Sequence, residues 1–389
     1  VSPGTDTELE ARARRAAARA IEGTDLRELP ALTRRLEGVA LLGMARALRD
    51  AGLFRDGAAH GEAEIAEATG TAGRHRWILR RWLAVLCEEG LLDGGGPDGR
   101  YRGLRRVGNR EMRAAARGLE EARTGLGYPP ELTLFFQRAI GNLPALLRDE
   151  VPLQALLFAD GETGTADGAY RDNAVNRYVN AATAEVACWA AGRRPGGAAL
   201  RVLEIGAGVG GTTSDVLAAL GDGPVDYLFT DVSRYFLDIG RERFGGRAGT
   251  GFALLDLNGD PLGGDVVEPG SRDVVIAANV LHNAHDIGRC LRGVRDLLAP
   301  GGLLLCIDTC RELYQILTSM QFLMSARPGE PGPGAYDLRA GTDRIFLSRA
   351  EWRDQMRAAG LAPVLAAPEE GHPLDAFSVT LLAARREEG

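Results

Sequence analysis

Four acids and one histidine stand where short apolar runs end. Glu204 is next to last in LRVLEI, Asp231 ends VDYLFTD, Asp256 ends GFALLD, His282 follows DVVIAANVL, and Asp308 ends GGLLLCID. Between the first two runs lies GAGVGG, residues 206–211. Glycine there turns the chain tightly and lets backbone N–H groups approach a ligand. The order E-x-G-x-G-x-G sets Gly206, Gly208 and Gly210 behind Glu204, and Gly206, Gly208 and Gly211 also satisfy the dinucleotide pattern G-x-G-x-x-G. Spacing alone does not separate the two ligand classes. The acids do. Glu204 would repel a pyrophosphate but can take the amino group of a zwitterion, Asp231 can accept two ribose hydroxyls, and Asp256 can accept from an adenine amino group. The set fits a cationic nucleoside, S-adenosylmethionine. Ala207, Val232 and Leu257 adjoin these groups, and Asn279 lines the pocket near the methionine moiety. The competing structural reading is that the acids only cap the helices that follow.

Transfer of a methyl group from a sulfonium is an in-line displacement that needs chiefly proximity and alignment. A carbon acceptor must first lose a proton, so it also needs a base. His282 falls on the ligand side of the sheet, and Asp308, on the neighbouring strand, can orient an imidazole and stabilise its protonated form. His285 reads as surface. Five scattered cysteines form neither a disulfide framework nor a completed metal site.

These groups must be held by an ordered scaffold. Short apolar runs alternating with TTSDVLAAL, SRYFLDIGRERF and IGRCLRGVRDLLA predict a mostly parallel sheet covered on both faces. PVLAA and FSVTLLAA predict a closing pair of edge strands, and residues 311–347 an active-site cap. Residues 1–125 read as a helical, partly winged-helix domain for a lid or a dimer contact, 126–195 as a connector and substrate lid, and 196–389 as the catalytic domain. Arginines at 74–110 would suit DNA phosphates; the alternative is that Trp77, Ile78, Trp82, Val85 and Leu86 pack a lid.

A net charge of −7 argues against nucleic acid as partner. All 46 basic residues are arginine, which excludes Schiff-base chemistry and the P-loop GK[ST]. No apolar run approaches a membrane span and the first residues lack a signal-peptide core, so a cytoplasmic setting is expected.

The segments LRVLEIGAGVGGTTSDVLAAL, YLFTDVSRYFLDIGRERF, DVVIAANVLHNAHD and LLAPGGLLLCIDT together resemble the methyltransferase domains of polyketide and hybrid peptide synthases. The resemblance covers most of residues 75–389 and implies a class I, Rossmann-like S-adenosylmethionine enzyme with a seven-stranded sheet, commonly a C-methyltransferase, here free-standing. It implies a His–Glu pair as base, with His282 as the histidine and Asp308, one methylene shorter, in the glutamate's place. It also sets Tyr170 in a helix closing over substrate, and Tyr314 and Gln321 in the cap. The expected acceptor is a β-ketoacyl chain on a carrier protein or a free 2-oxo or aromatic acid. O- or N-methylation of a small molecule, and a DNA-binding regulator with a ligand-sensing core, are the alternatives.

Overall fold

The computed structural model describes residues 3–94, 98–157 and 173–387. Its strands are β1 (Leu200–Ile205), β2 (Val225–Asp231), β3 (Thr250–Leu254), β4 (Arg272–Ala278), β5 (Leu298–Thr309), β6 (Leu361–Ala367) and β7 (Val379–Arg386). They form one sheet in the order β3-β2-β1-β4-β5-β7-β6, with the first five parallel and β7 antiparallel to both neighbours. The apolar runs follow from burial on both faces. Val202, Ile276 and Leu305 belong to one core, while Leu203, Val275, Leu304 and Cys306 belong to the other. Cys306 is thus a small core residue. The two tail segments do close the sheet, but the last strand slides between β5 and β6, so of these two β6 alone is an edge. Strand order reverses between β1 and β4, and a crevice at their carboxyl ends is where such a sheet binds ligands.

Helix α1 (Pro3–Ala20) packs on the long helix Ala174–Ala191 that precedes β1. Arg12 pairs with Glu185 at 2.7 Å and Arg385 of β7 with Asp6 at 2.5 Å. The next helices, α2 (Leu29–Asp50), α3 (Glu62–Thr69) and α4 (Arg76–Glu88), lead to a wing of two bridges, His60 with Tyr101 and Asp93 with Arg102. The apolar face of α4 is spent inside the protein. Trp82 is fully buried, its indole N–H donates to the carbonyl of Leu317, and Phe322 of the cap lies edge-on to its ring. Replacing such an indole by alanine costs roughly 3–5 kcal/mol. This contact fixes α4 against the cap, so the cap rests on the N-terminal helices. No helix among the described residues is long and apolar enough to cross a membrane.

Candidate active site

The glycine turn is dictated by backbone geometry. Gly206, Gly208 and Gly210 have φ of 63°, 56° and 81°, a region that side chains disfavour. Gly206 is also forced by space, since a Cβ there would lie 2.4 Å from Val280. Val280 is two residues before His282, so the turn and the histidine loop are in direct contact. At Gly208 a Cβ would meet nothing within 4 Å and would project into the open space before the turn. Residues 206–208 are half-buried. The amide of Ala207 donates to the carbonyl of Thr230 at 2.9 Å, which ties the turn to β2.

Asp231 is buried, with Oδ2 accepting from the amide of Gly208 at 3.0 Å and Oδ1 from that of Ser233 at 2.8 Å. Desolvation pushes its carboxyl above the usual range despite those donors. Beside it Val232, just past the carboxyl end of β2, is 69% exposed. Asp256 is exposed and accepts from the amide of Asn258 at 2.8 Å with Oδ1, as in a local turn. Leu257 is half-buried.

Glu204 is 1% exposed, its carboxylate directed to side chains of β2 and of the helix that follows the turn. Oε2 accepts from the hydroxyls of Thr213 and Tyr227, each at 2.5 Å. Burial pushes the Glu204 carboxyl up to about 7, against the effect of the two hydroxyls. The exposed apolar Val232, the open cradle before Gly208 and the carboxylate of Asp231 fit an adenosyl ligand. Ala207, Gly208 and Asp231 would hold it.

His282 and Asp308 meet. Nδ1 of His282 lies 2.7 Å from Oδ1 of Asp308, and the backbone N–H of His282 donates to Oδ2 at 3.2 Å. The amide of Thr309 also donates to Oδ1, at 2.8 Å. His282 is 4% exposed and Asp308 fully buried. The short aspartate suffices because the loop is folded onto the strand. Asn279 takes φ of 53° and its N–H donates to the carbonyl of Ile307 at 2.7 Å. A single turn, Leu281–Asn283, then sets His282 over the end of β5. With Nδ1–H donating to Asp308, the imidazole carries its free lone pair on Nε2, the form of a general base.

Two residues with no sequence signal complete the loop. Phe346 packs its ring edge-to-face on His282 at 5.2 Å. Arg339, 2% exposed, donates to the carbonyls of His282, Ala284 and Ile345. One sits in an apolar IFL run and the other in a glycine-rich loop, and neither pattern marks a function. His285 is half-buried, its amide donating to Asn258 and its carbonyl accepting from Tyr336.

Of the expected cap residues, Tyr314 reaches the end of α4 and Gln321 bonds within the cap. The hydroxyl of Tyr314 donates to Glu89 at 2.8 Å, and Gln321, fully buried, donates from Nε2 to Glu312 at 3.1 Å. Tyr170 lies outside the described residues. The arginines weighed for DNA are largely engaged within the protein: Arg80 with Asp343 at 2.6 Å, Arg81 with Glu312 at 2.8 Å, Arg100 with Glu64 at 2.8 Å, and Arg105 with Glu111 at 2.6 Å. No cluster among the described residues has the makings of a metal site.

Comparison with known proteins bears on this geometry. A family profile described as a methyltransferase domain matches residues 203–304, from β1 through the His282 loop into β5. Pyochelin synthetase PchF of Pseudomonas aeruginosa is 30% identical over 362 residues, which are 90% of this chain and 19% of that protein. Polyketide synthase ThaQ of Burkholderia thailandensis is 33% identical over 273 residues, 66% of this chain and 12% of its own length. The chain therefore spans about a fifth or less of these relatives. Among solved structures, the CurJ carbon methyltransferase superposes with a TM-score of 0.87 at 24% identity, covering 98% of this chain and 99% of that one. The citrinin polyketide synthase CMeT domain gives 0.80 at 19% identity, covering 100% and 99%. Residues 203–304 thus match a methyltransferase domain, and the chain as a whole has the fold of the CurJ carbon methyltransferase and the citrinin polyketide synthase CMeT domain.

Proposed function

We propose that the enzyme methylates carbon, at the activated position between the two carbonyls of a β-ketoacyl thioester on a carrier protein. The observation that carries this reading is the bonded pair of His282 and Asp308 at the carboxyl ends of β4 and β5, one packed residue away from the glycine turn. Oxygen and nitrogen acceptors have lone pairs and need a weaker base or none, whereas a C–H must be ionised first. A buried histidine held by a buried carboxylate suits that task, and such a base contributes ~10²–10⁴-fold. Relatives named as polyketide synthases and a pyochelin synthetase support an acyl acceptor of the carrier-bound kind.

Each residue has a part. Asp308 fixes the imidazole by ring and backbone, and Nε2 of His282 takes the proton from the α-carbon, leaving an enolate. Phe346 and the cap keep water from the imidazole. Asp231 and the turn 206–208 hold the nucleoside, with Val232 and Leu257 against its base, while Asn279 shapes the wall beside the histidine. S-adenosylmethionine, when bound, supplies a methyl group already activated as a sulfonium. Tyr314 and Gln321 then act on the acceptor indirectly, by seating the cap.

The test is α-proton exchange of acetoacetyl pantetheine in heavy water, with S-adenosylhomocysteine present. Exchange by the wild type that is lost in His282→Ala supports the reading. Equal exchange by both proteins contradicts it.

A further inference from the structure

We propose that Arg339 is a positioning residue for the base, locking the His282 loop and the cap into one arrangement. The proposal rests on His282 acting as the base, and goes beyond it to ask what holds that base still. All five donors of the guanidinium are used. Nη1 donates to the carbonyls of His282 and Ile345, both at 2.7 Å, and Nη2 to the carbonyl of Ala284 at 2.8 Å and to Asp337 at 2.7 Å, while Nε donates to Asp337 at 3.0 Å. The side chain is fully buried and its partner Asp337 nearly so.

The partners span two segments that have to agree. His282 and Ala284 form the loop that bears the base, and Ile345 immediately precedes Phe346, whose ring lies on the imidazole. Asp337 also accepts from the amide of Ile287, at the start of the helix Ile287–Leu297, and the amide of Gly334 donates to the carbonyl of Ala284. Segment 334–346 is therefore laid along the loop 282–287, with one guanidinium at the centre of the seam. Gly334 is required by that packing, because a Cβ there would lie 2.6 Å from Nε of Arg339. An ammonium has three donors and no planar fork, so lysine cannot serve three carbonyls and a carboxylate together. Arg339 touches no reacting atom. Its effect passes through the placement of His282, and a displacement of about 1 Å in a reacting group can cost ~10²-fold.

Arg339 borders a cleft of about 620 Å³ between residues 72–77 and the cap, from which a small cation would have to enter the buried place left in Arg339→Ala. This permits a rescue experiment. Arg339→Lys and Arg339→Ala are compared with the wild type for S-adenosylhomocysteine affinity, α-proton exchange of acetoacetyl pantetheine, and the nitrogen-15 spectrum of His282. We expect cofactor-product affinity to be kept, exchange to fall roughly 10²-fold in both variants, and methylguanidinium to restore part of it in Arg339→Ala. The His282 spectrum should lose the signature of Nδ1–H bonded to Asp308. Wild-type exchange in Arg339→Lys, or a loss of S-adenosylhomocysteine affinity in step with exchange, would overturn the proposal. If the wild type itself exchanges no proton, the acceptor reading fails, and the nitrogen-15 spectrum alone decides on Arg339. An unchanged His282 signature in Arg339→Lys then rejects the positioning role.

Discussion

Asp308 holds His282 twice, accepting from Nδ1–H at 2.7 Å with one oxygen and from the backbone N–H at 3.2 Å with the other. One carboxylate thus sets both the tautomer and the height of the loop. Asp308→Asn removes the charge that would stabilise an imidazolium, and kcat should fall by ~10²–10⁴-fold, as for loss of a general base. Asp308→Glu should not improve the enzyme, although glutamate is the residue expected from related domains. The site is fully buried, so an added methylene overpacks it, at a cost of roughly 1–3 kcal/mol. Steady-state kinetics and thermal melting of the two variants check this.

Glu204 gives a pH-dependent signature. Its folded carboxyl is pushed up to about 7 by burial, so the folded state favours the protonated form. The stability it contributes is fully present below the ordinary carboxylate range and is lost as pH rises through about 7. The loss across that range is on the order of 3 kcal/mol. Glu204→Gln cannot ionise. The ligand-free melting-temperature difference between variant and wild type should therefore move in the variant's favour from pH 5 to pH 8, by an amount that linkage relates to that loss. A constant difference across that range would refute the assignment.

Gly206 and Gly208 should fail in different ways. Gly208→Ala meets only backbone strain, about 1–2 kcal/mol, and fills the cradle, so S-adenosylhomocysteine affinity should drop while α-proton exchange persists. Gly206→Ala also drives a methyl into Val280. It should disturb the His282 loop and lower both. Calorimetric titration with the exchange assay separates the two.

The layout of the sheet and the places of His282 and Asp308 at its carboxyl end were legible in the sequence because both depend on short-range pattern. Apolar runs ending in acids specify buried parallel strands and put side chains at one end of them. The reach of Asp308 was not legible. It depends on Asn279 adopting φ of 53° and bonding to Ile307, which no periodicity encodes. Nor could sequence show that Glu204 bonds to Thr213 and Tyr227, since strand alternation does not say what waits on either face. Arg339 and Phe346 lie more than fifty residues beyond His282 in a loop without regular structure, and their meeting with it is purely tertiary.

Duplex DNA should not be a partner. Arg80, Arg81, Arg100 and Arg105 are bonded to acids of the protein itself, and α4 is packed against the cap. Phosphate contacts make binding steeply salt-dependent. Fluorescence anisotropy with a labelled duplex at low salt should show no association, and a strong, salt-sensitive signal would contradict the packing described.

If His282 prepares a carbon for methylation, the new methyl group must be found on carbon. S-adenosylmethionine bearing a carbon-13 methyl group, offered with acetoacetyl pantetheine, locates the new bond directly by NMR. Label is expected on the α-carbon with the wild type and none with His282→Ala. Label on oxygen, or label on carbon that survives the loss of His282, would contradict that role of His282.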